Sequence, residues 1–131
     1  MNRTHLEGAA EKLTAQRGYT FYTGPEDDMG HTVRNYPAAW LAPPELHAVE
    51  GRTHGRATYV MTLLLLRPGA RISPAERRTA LAEMEAQMIE IFAELSLDER
   101  ILAVEGLSVR PRSFSLTPHG EISQTATARI V

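Results

Sequence analysis

Apolar positions along this chain change period between segments, and each change marks an element. The densest run, Ala57-Thr58-Tyr59-Val60-Met61-Thr62-Leu63-Leu64-Leu65-Leu66, is rich in β-branched, aromatic and aliphatic side chains and predicts a long buried strand. Arg67-Pro68-Gly69 stops it, because Pro has no N–H for a ladder and Gly permits a reversal. The spacing then becomes helical, with Leu81, Met84, Met88, Ile91, Phe92 and Leu95 on one stripe. Ser73-Pro74-Ala75-Glu76 opens that helix as a capping box with Pro at the first helical position. In the strand, Tyr59, Met61, Leu63 and Leu65 face one way, and Thr58, Val60, Thr62, Leu64 and Leu66 the other. Neither face is properly polar, which places the strand mid-sheet with cover on both sides. With two helices predicted, the second cover is expected from another subunit.

The flanking segments complete the layout. Thr4-His5-Leu6-Glu7 reads as another capping box, followed by Leu6, Ala9, Ala10 and Leu13 at helical spacing and closed by Gly18, so a helix is predicted over 4–17. Tyr19-Thr20-Phe21-Tyr22-Thr23 is a short strand ended by Gly24-Pro25, and residues 24–35 read as a surface loop. Tyr36-Pro37-Ala38-Ala39-Trp40-Leu41 is a strand that Pro37 confines to an edge or a strand start. Residues 45–55 read as a polar connection bounded by Gly51 and Gly55. A strand is predicted over 101–110, interrupted by Pro111 and resumed by Phe114-Ser115-Leu116. After the turn Thr117-Pro118-His119-Gly120, residues 121–131 alternate with Ile122, Ala126, Ala128 and Ile130 on one face. The order α-β-β-β-α-β-β predicts one α+β domain, a mostly antiparallel sheet of about five strands with two helices packed on it.

Composition narrows the chemistry. The 131 residues carry a net charge of −2, so the molecule as a whole has no bias toward nucleic acid or acidic membranes. The chain has no cysteine, which excludes disulfides, thiol nucleophiles and thiolate metal sites. No apolar run approaches the roughly 20 residues needed to span a bilayer, and the N-terminus has no apolar signal core, so an intracellular, non-membrane domain is expected. Of 14 basic residues only Lys12 is Lys. Base composition of the genome explains such a bias, and so does interface chemistry, because Arg is weakly hydrated and forms bidentate pairs. Charge is also segregated: residues 76–105 hold eight acids against Arg77, Arg78 and Arg100, whereas residues 51–72 hold four arginines and no acid. Two such regions either complement each other head to tail between subunits or are two solvated faces.

Catalytic constellations are thin. Asp27, Asp28 and His31 share a loop without the spacing of a metal triad, and polar loop residues of this kind are ordinarily solvated. Gly51-Arg52-Thr53-His54-Gly55-Arg56 offers backbone N–H groups and guanidinium forks to a phosphate, but opens no helix and equally reads as a hairpin loop. Gly106-Leu107-Ser108 lacks the closing Gly and helix of a nucleophile elbow. Glu90 and Glu94 lie one turn apart on a solvated flank, and His5, His31, His47, His54 and His119 read as surface residues. No catalytic residue, cofactor or metal is expected.

The segment Tyr36-Pro37-Ala38-Ala39-Trp40-Leu41-Ala42-Pro43-Pro44-Glu45-Leu46, leading into Val49-Glu50-Gly51-Arg52, together with size and element order, resembles small tail-assembly proteins of tailed bacteriophages and prophages. The stretch Phe114-Ser115-Leu116-Thr117-Pro118-His119-Gly120-Glu121-Ile122-Ser123 is similar too, and the nearest family is the tail terminators, or tail-completion proteins. The resemblance lies in layout rather than in a catalytic signature. It implies a structural ring, commonly a hexamer, that caps the tail tube, meets head-connector proteins, and is found in the host cytoplasm during assembly and then in the virion tail. The candidate interface residues are Tyr36, Trp40, Arg52, His54, Arg56, Val60, Leu64 and Arg67, with Arg52, Arg56 and Arg67 as interface or lumen-facing charges. The alternatives are a small ligand- or nucleic-acid-binding domain using arginine-rich loops, and a small enzyme using His31 or His54.

Overall fold

The computed structural model describes residues 2–51, 56–112 and 120–131. They form an α+β fold with helices α1 (Arg3–Ala15), α2 (Met29–Thr32) and α3 (Pro74–Leu95). The strands are β1 (Thr20–Thr23), β2 (Ala38–Leu41), β3 (Glu45–Glu50), β4 (Arg56–Arg67), β5 (Val104–Pro111) and β6 (Ile122–Ile130). The sheet runs β1-β2-β4-β6-β5, with β3 also paired to β4. The expected α+β class and mainly antiparallel pairing hold, while among the described residues the strands number six and the helices three, and the β1–β2 pair is parallel.

Two of these differences have local causes. Parallel neighbours need a crossover connection. The segment expected to be a plain loop supplies it, with a single 3-10 turn at Glu26–Asp28 and then α2. The connection predicted after β2 is instead β3, paired antiparallel with β4. A bulge between Leu46 and Ala48 adds His47 to one side of the ladder, so the strand's alternation breaks where a period-based reading looks for it.

Helix signals resolve differently at the two long helices. At α3, Ser73 accepts the Glu76 N–H and the Glu76 carboxylate accepts the Ser73 N–H, so the capping box forms as expected. At α1 the cap is Asn2 rather than Thr4: its Oδ1 accepts the His5 N–H at 2.8 Å, and the helix begins one residue earlier. Asn is at least as good an N-cap as Thr, so the upstream side chain takes the donor. Gly18, at φ +83°, turns the chain out of this helix region.

β4 is the spine. One edge of it pairs with β2 along residues 63–66 and with β3 along residues 56–60, and the other edge pairs with β6. α1 and α3 cover one face of the sheet, burying Leu6, Met84, Met88, Ile91 and Phe92 against Met61, Leu63, Leu65 and Ala126. The other face is covered over Leu64 and Leu66 by Met29 and Val33, with Ala38 and Trp40 beside them. The two-sided apolar strand therefore obtains this part of its second cover from its own chain, through the crossover, and not from another subunit. Phe114-Ser115-Leu116 and most of the turn that follows lie outside the described residues.

Candidate assembly interface

β3 and the first half of β4 form a two-stranded arm. Only Tyr59 and Val60 of that half also pair with β6, so from Ala57 outward each strand of the arm has the other as its sole partner among the described residues. The cross-strand pairs fix which side chains share a face. Leu46 and Val49 stand with Tyr59 and Ala57 on the helix side, while Glu45, Ala48 and Glu50 stand with Val60, Thr58 and Arg56 on the other. Leu46 is 52% exposed and Val49 63% exposed, while the ring of Tyr59 lies 5.9 Å from the Arg3 guanidinium of α1. A lone two-stranded ribbon with uncovered aliphatic side chains and an unpaired outer edge is marginal by itself and is a template for another chain.

Beyond Leu64, the uncovered remainder of the second face is polar apart from Val60. Thr62, Thr125, Thr127 and Ser108 are half-buried there, and Arg110 and Arg129 are exposed. At its β5 margin, Ser108, Arg110, Pro111, Arg112, Thr125 and Thr127 enclose a recess of about 380 Å³. Arg112 is held in place: its Nε donates to Thr125 Oγ1 at 3.0 Å and its Nη2 lies 3.6 Å from Glu26 Oε1. Arg110 has no ion-pair partner among the described residues.

The eight candidate residues are not brought together. Trp40 is fully buried, donates its indole N–H to Gly24 O at 2.9 Å and stacks on Tyr22. Leu64 is fully buried in the same cluster and Tyr36 packs against it, so these three line the chain's own second core instead of an open surface. Val60 is half-buried and faces the open side of the sheet, and Arg56 is exposed across from Glu50. Arg52 and His54 lie outside the described residues.

Arg67 is half-buried and bonds to groups of its own chain. Its Nη1 donates to Glu83 at 2.7 Å, its Nη2 to Gln87 at 2.9 Å and its Nε to the Tyr19 hydroxyl at 3.1 Å, while Tyr19 itself donates to Gln87 at 2.6 Å. Burial raises the Tyr19 pKa, with the Arg67 hydrogen bond and charge working against it. Burial would lower the Arg67 pKa, but hydrogen bonds to Glu83 and Tyr19 outweigh it and the pKa rises. Arg17 likewise reaches Glu90 at 3.4 Å and Glu94 at 2.7 Å. Three acids of α3 thus meet arginines of their own chain.

At the far end of α1, His5 Nε2 lies 2.7 Å from Asp98 Oδ2. The Arg100 N–H, bonded to Asp98 at 2.8 Å, is the main cause that holds this carboxyl below its ordinary pKa. Beside this pair, an open groove of about 690 Å³ runs between α1 and the end of α3, lined by Ala9, Leu13 and Leu97 among others. Among the described residues, no group of three or more His, Asp or Glu is placed to hold a metal ion, and Asp27, Asp28 and His31 are exposed.

Leu46 and Val49 are the residues that periodicity overlooked. Their signal was Leu-x-x-Val within a polar segment, which matches no strand until the bulge is known. No helix among the described residues is long and apolar enough to cross a membrane. No protein-family model matches the chain, and no curated protein is significantly similar to it.

Proposed function

We propose that this chain is a self-associating structural subunit of a bacteriophage or prophage tail, a tail-terminator-like ring component that joins tail to head without a catalytic role. The observation that carries the self-association is the β3–β4 arm, with Leu46 and Val49 uncovered and the outer edge of β3 unpartnered among the described residues. Aliphatic side chains on a two-stranded ribbon gain their cover by association, and a contact between unlike surfaces of identical subunits closes into a ring when its rotation allows. The tail assignment rests on the layout resemblance of the segments around residues 36–52 and 114–123. The protein would act in the host cytoplasm during assembly and persist in the virion tail, next to other tail or head-connector proteins.

Light scattering coupled to size exclusion, followed by negative-stain microscopy, tests the first half. Closed rings are expected, and a strict monomer across the accessible concentration range refutes self-association. Deleting the gene from its prophage tests the second half. Heads and tails that fail to join are expected, and a normal yield of complete particles refutes the tail role.

A further inference from the structure

The recess between β5 and β6 is lined by guanidinium and hydroxyl groups and, among the described residues, by no carboxylate. Strand register builds it. Ser108 stands across from Thr127 and Arg110 across from Thr125, so these four side chains mark the corners of one patch. Neighbours across the strands are roughly 5 Å apart and neighbours along one strand roughly 7 Å, a span that one tetrahedral oxyanion and its donors can fill. Arg112 joins from the next row, where its backbone N–H pairs with Ser123 O.

The donors are set in advance. Arg112 is fixed at two points, with Nε donating to Thr125 Oγ1 at 3.0 Å and Nη2 lying 3.6 Å from Glu26 Oε1. Because Thr125 accepts that bond, its own hydroxyl proton is kept for an acceptor other than Arg112. Arg110 is exposed and has no ion-pair partner among the described residues. Two guanidinium groups with no lining carboxylate attract an anion, and the hydroxyls beside them favour one with more than two acceptor oxygens. A phosphomonoester offers three such oxygens and roughly −1.5 to −2 charges at pH 7.

Carboxylates at both ends limit the length of the patch. Beyond Ser108 the same face continues to Glu105, opposite Arg129, and beyond Arg112 it meets Glu26. A nucleic-acid strand laid along β5 would carry its next phosphates onto those acids, where like charges repel. One phosphate suits the patch and a chain of them does not. The volume of about 380 Å³ falls within the roughly 300–1,000 Å³ of small-molecule sites, which leaves room for the group that the phosphate is attached to.

We propose that this recess binds the phosphate of a small phosphomonoester, with Arg110 and Arg112 as charged donors and Ser108, Thr125 and Thr127 as hydroxyl donors. The site is separate from the β3–β4 arm and stands whether or not the chain self-associates.

Isothermal titration calorimetry of the full chain in a chloride buffer tests it, with inorganic phosphate and phenyl phosphate as probes. Saturable binding of both is expected. Arg110→Gln alters an exposed side chain without an ion-pair partner, so circular dichroism should find the fold intact while phenyl phosphate binds at least about tenfold more weakly. Thr127→Val keeps the volume, removes one hydroxyl and should weaken binding about three- to tenfold. Arg78→Gln, at an exposed arginine of α3, should leave the affinity unchanged. A parent that binds neither probe saturably overturns the proposal, as does an affinity that neither Arg110→Gln nor Thr127→Val changes. An equal loss in Arg110→Gln and Arg78→Gln also overturns it, since it would mean diffuse attraction of charge. Binding of inorganic phosphate alone overturns the monoester, and so does displacement of phenyl phosphate by a single-stranded oligonucleotide with hydroxyl ends, because a backbone diester would then fill the site.

Discussion

Leu64 and Val60 occupy the same face of β4 two pleat repeats apart, yet the structure gives them opposite roles. Leu64 is fully buried among Trp40, Met29, Val33, Ala38 and Leu66, all of its own chain, whereas Val60 is half-buried on the open side. Leu64→Ala should therefore cost about 3 kcal/mol, within the ~2–5 kcal/mol typical of a buried leucine, with the short α2 able to settle partly into the space. At about 2.1 cal/mol/K per residue over 131 residues, the unfolding entropy is about 275 cal/mol/K, so the midpoint should fall by roughly 11 °C. Val60→Ala removes methyl groups that are only partly withdrawn from water and should cost under ~1 kcal/mol, a shift of at most about 4 °C. Trp40 is the only tryptophan and sits in the cluster that Leu64 joins, so its fluorescence during thermal and urea unfolding reads the perturbed region directly. The comparison is made at two protein concentrations. A Leu64→Ala cost below about 1 kcal/mol in dilute solution, growing as protein is concentrated, would refute the reasoning, because it would mean that a second copy covers this face.

Gly69 is needed for a close approach: an added Cβ would lie 2.8 Å from Ile122 Cγ2, 2.9 Å from Gly120 O and 3.0 Å from Ile122 N. Two of those atoms are backbone, so Gly69→Ala should destabilise by about 1–3 kcal/mol in urea titration, whereas Gly8→Ala, with nothing within 4 Å inside α1, should stabilise by roughly 0.5–1 kcal/mol. One of the four tyrosines, Tyr19, should ionise above the ordinary value of 10.0 in absorbance titration, and Arg67→Gln should move it higher still by removing a cation that favours the phenolate. Because that pKa is raised on folding, its contribution to stability is intact below the unfolded value and is lost as pH rises through the folded one. Asp98 has the opposite sign: its folded pKa lies below 3.8, so its contribution is present above the unfolded value and is lost as pH falls through the folded one. Asp98→Asn should flatten that part of the acid unfolding curve, and an unchanged curve would show that the Arg100 and His5 contacts contribute nothing.

Local chemistry alone determined a good part of this protein. The Ser73–Glu76 capping box, the α3 stripe, the long apolar β4 and the alternation of β6 were all legible, because each depends on neighbours within a few residues. The α+β class followed from them. What tertiary structure decided was adjacency and direction. Nothing in residues 24–35 says that they return the chain to lie parallel to β1, or that Met29 and Val33 will cover Leu64, since those contacts form only once the sheet has. β3 stayed hidden because one bulged residue disrupts the period that marks a strand. Arg67 looked free in a region without acids, yet its partner Glu83 arrives from α3 when that helix folds back across the sheet. An apolar face in sequence says only that something must cover it. Whether the cover is the same chain or the next one is settled by how far the connections reach, which is why Leu64 is core and the arm at Leu46 and Val49 is left open.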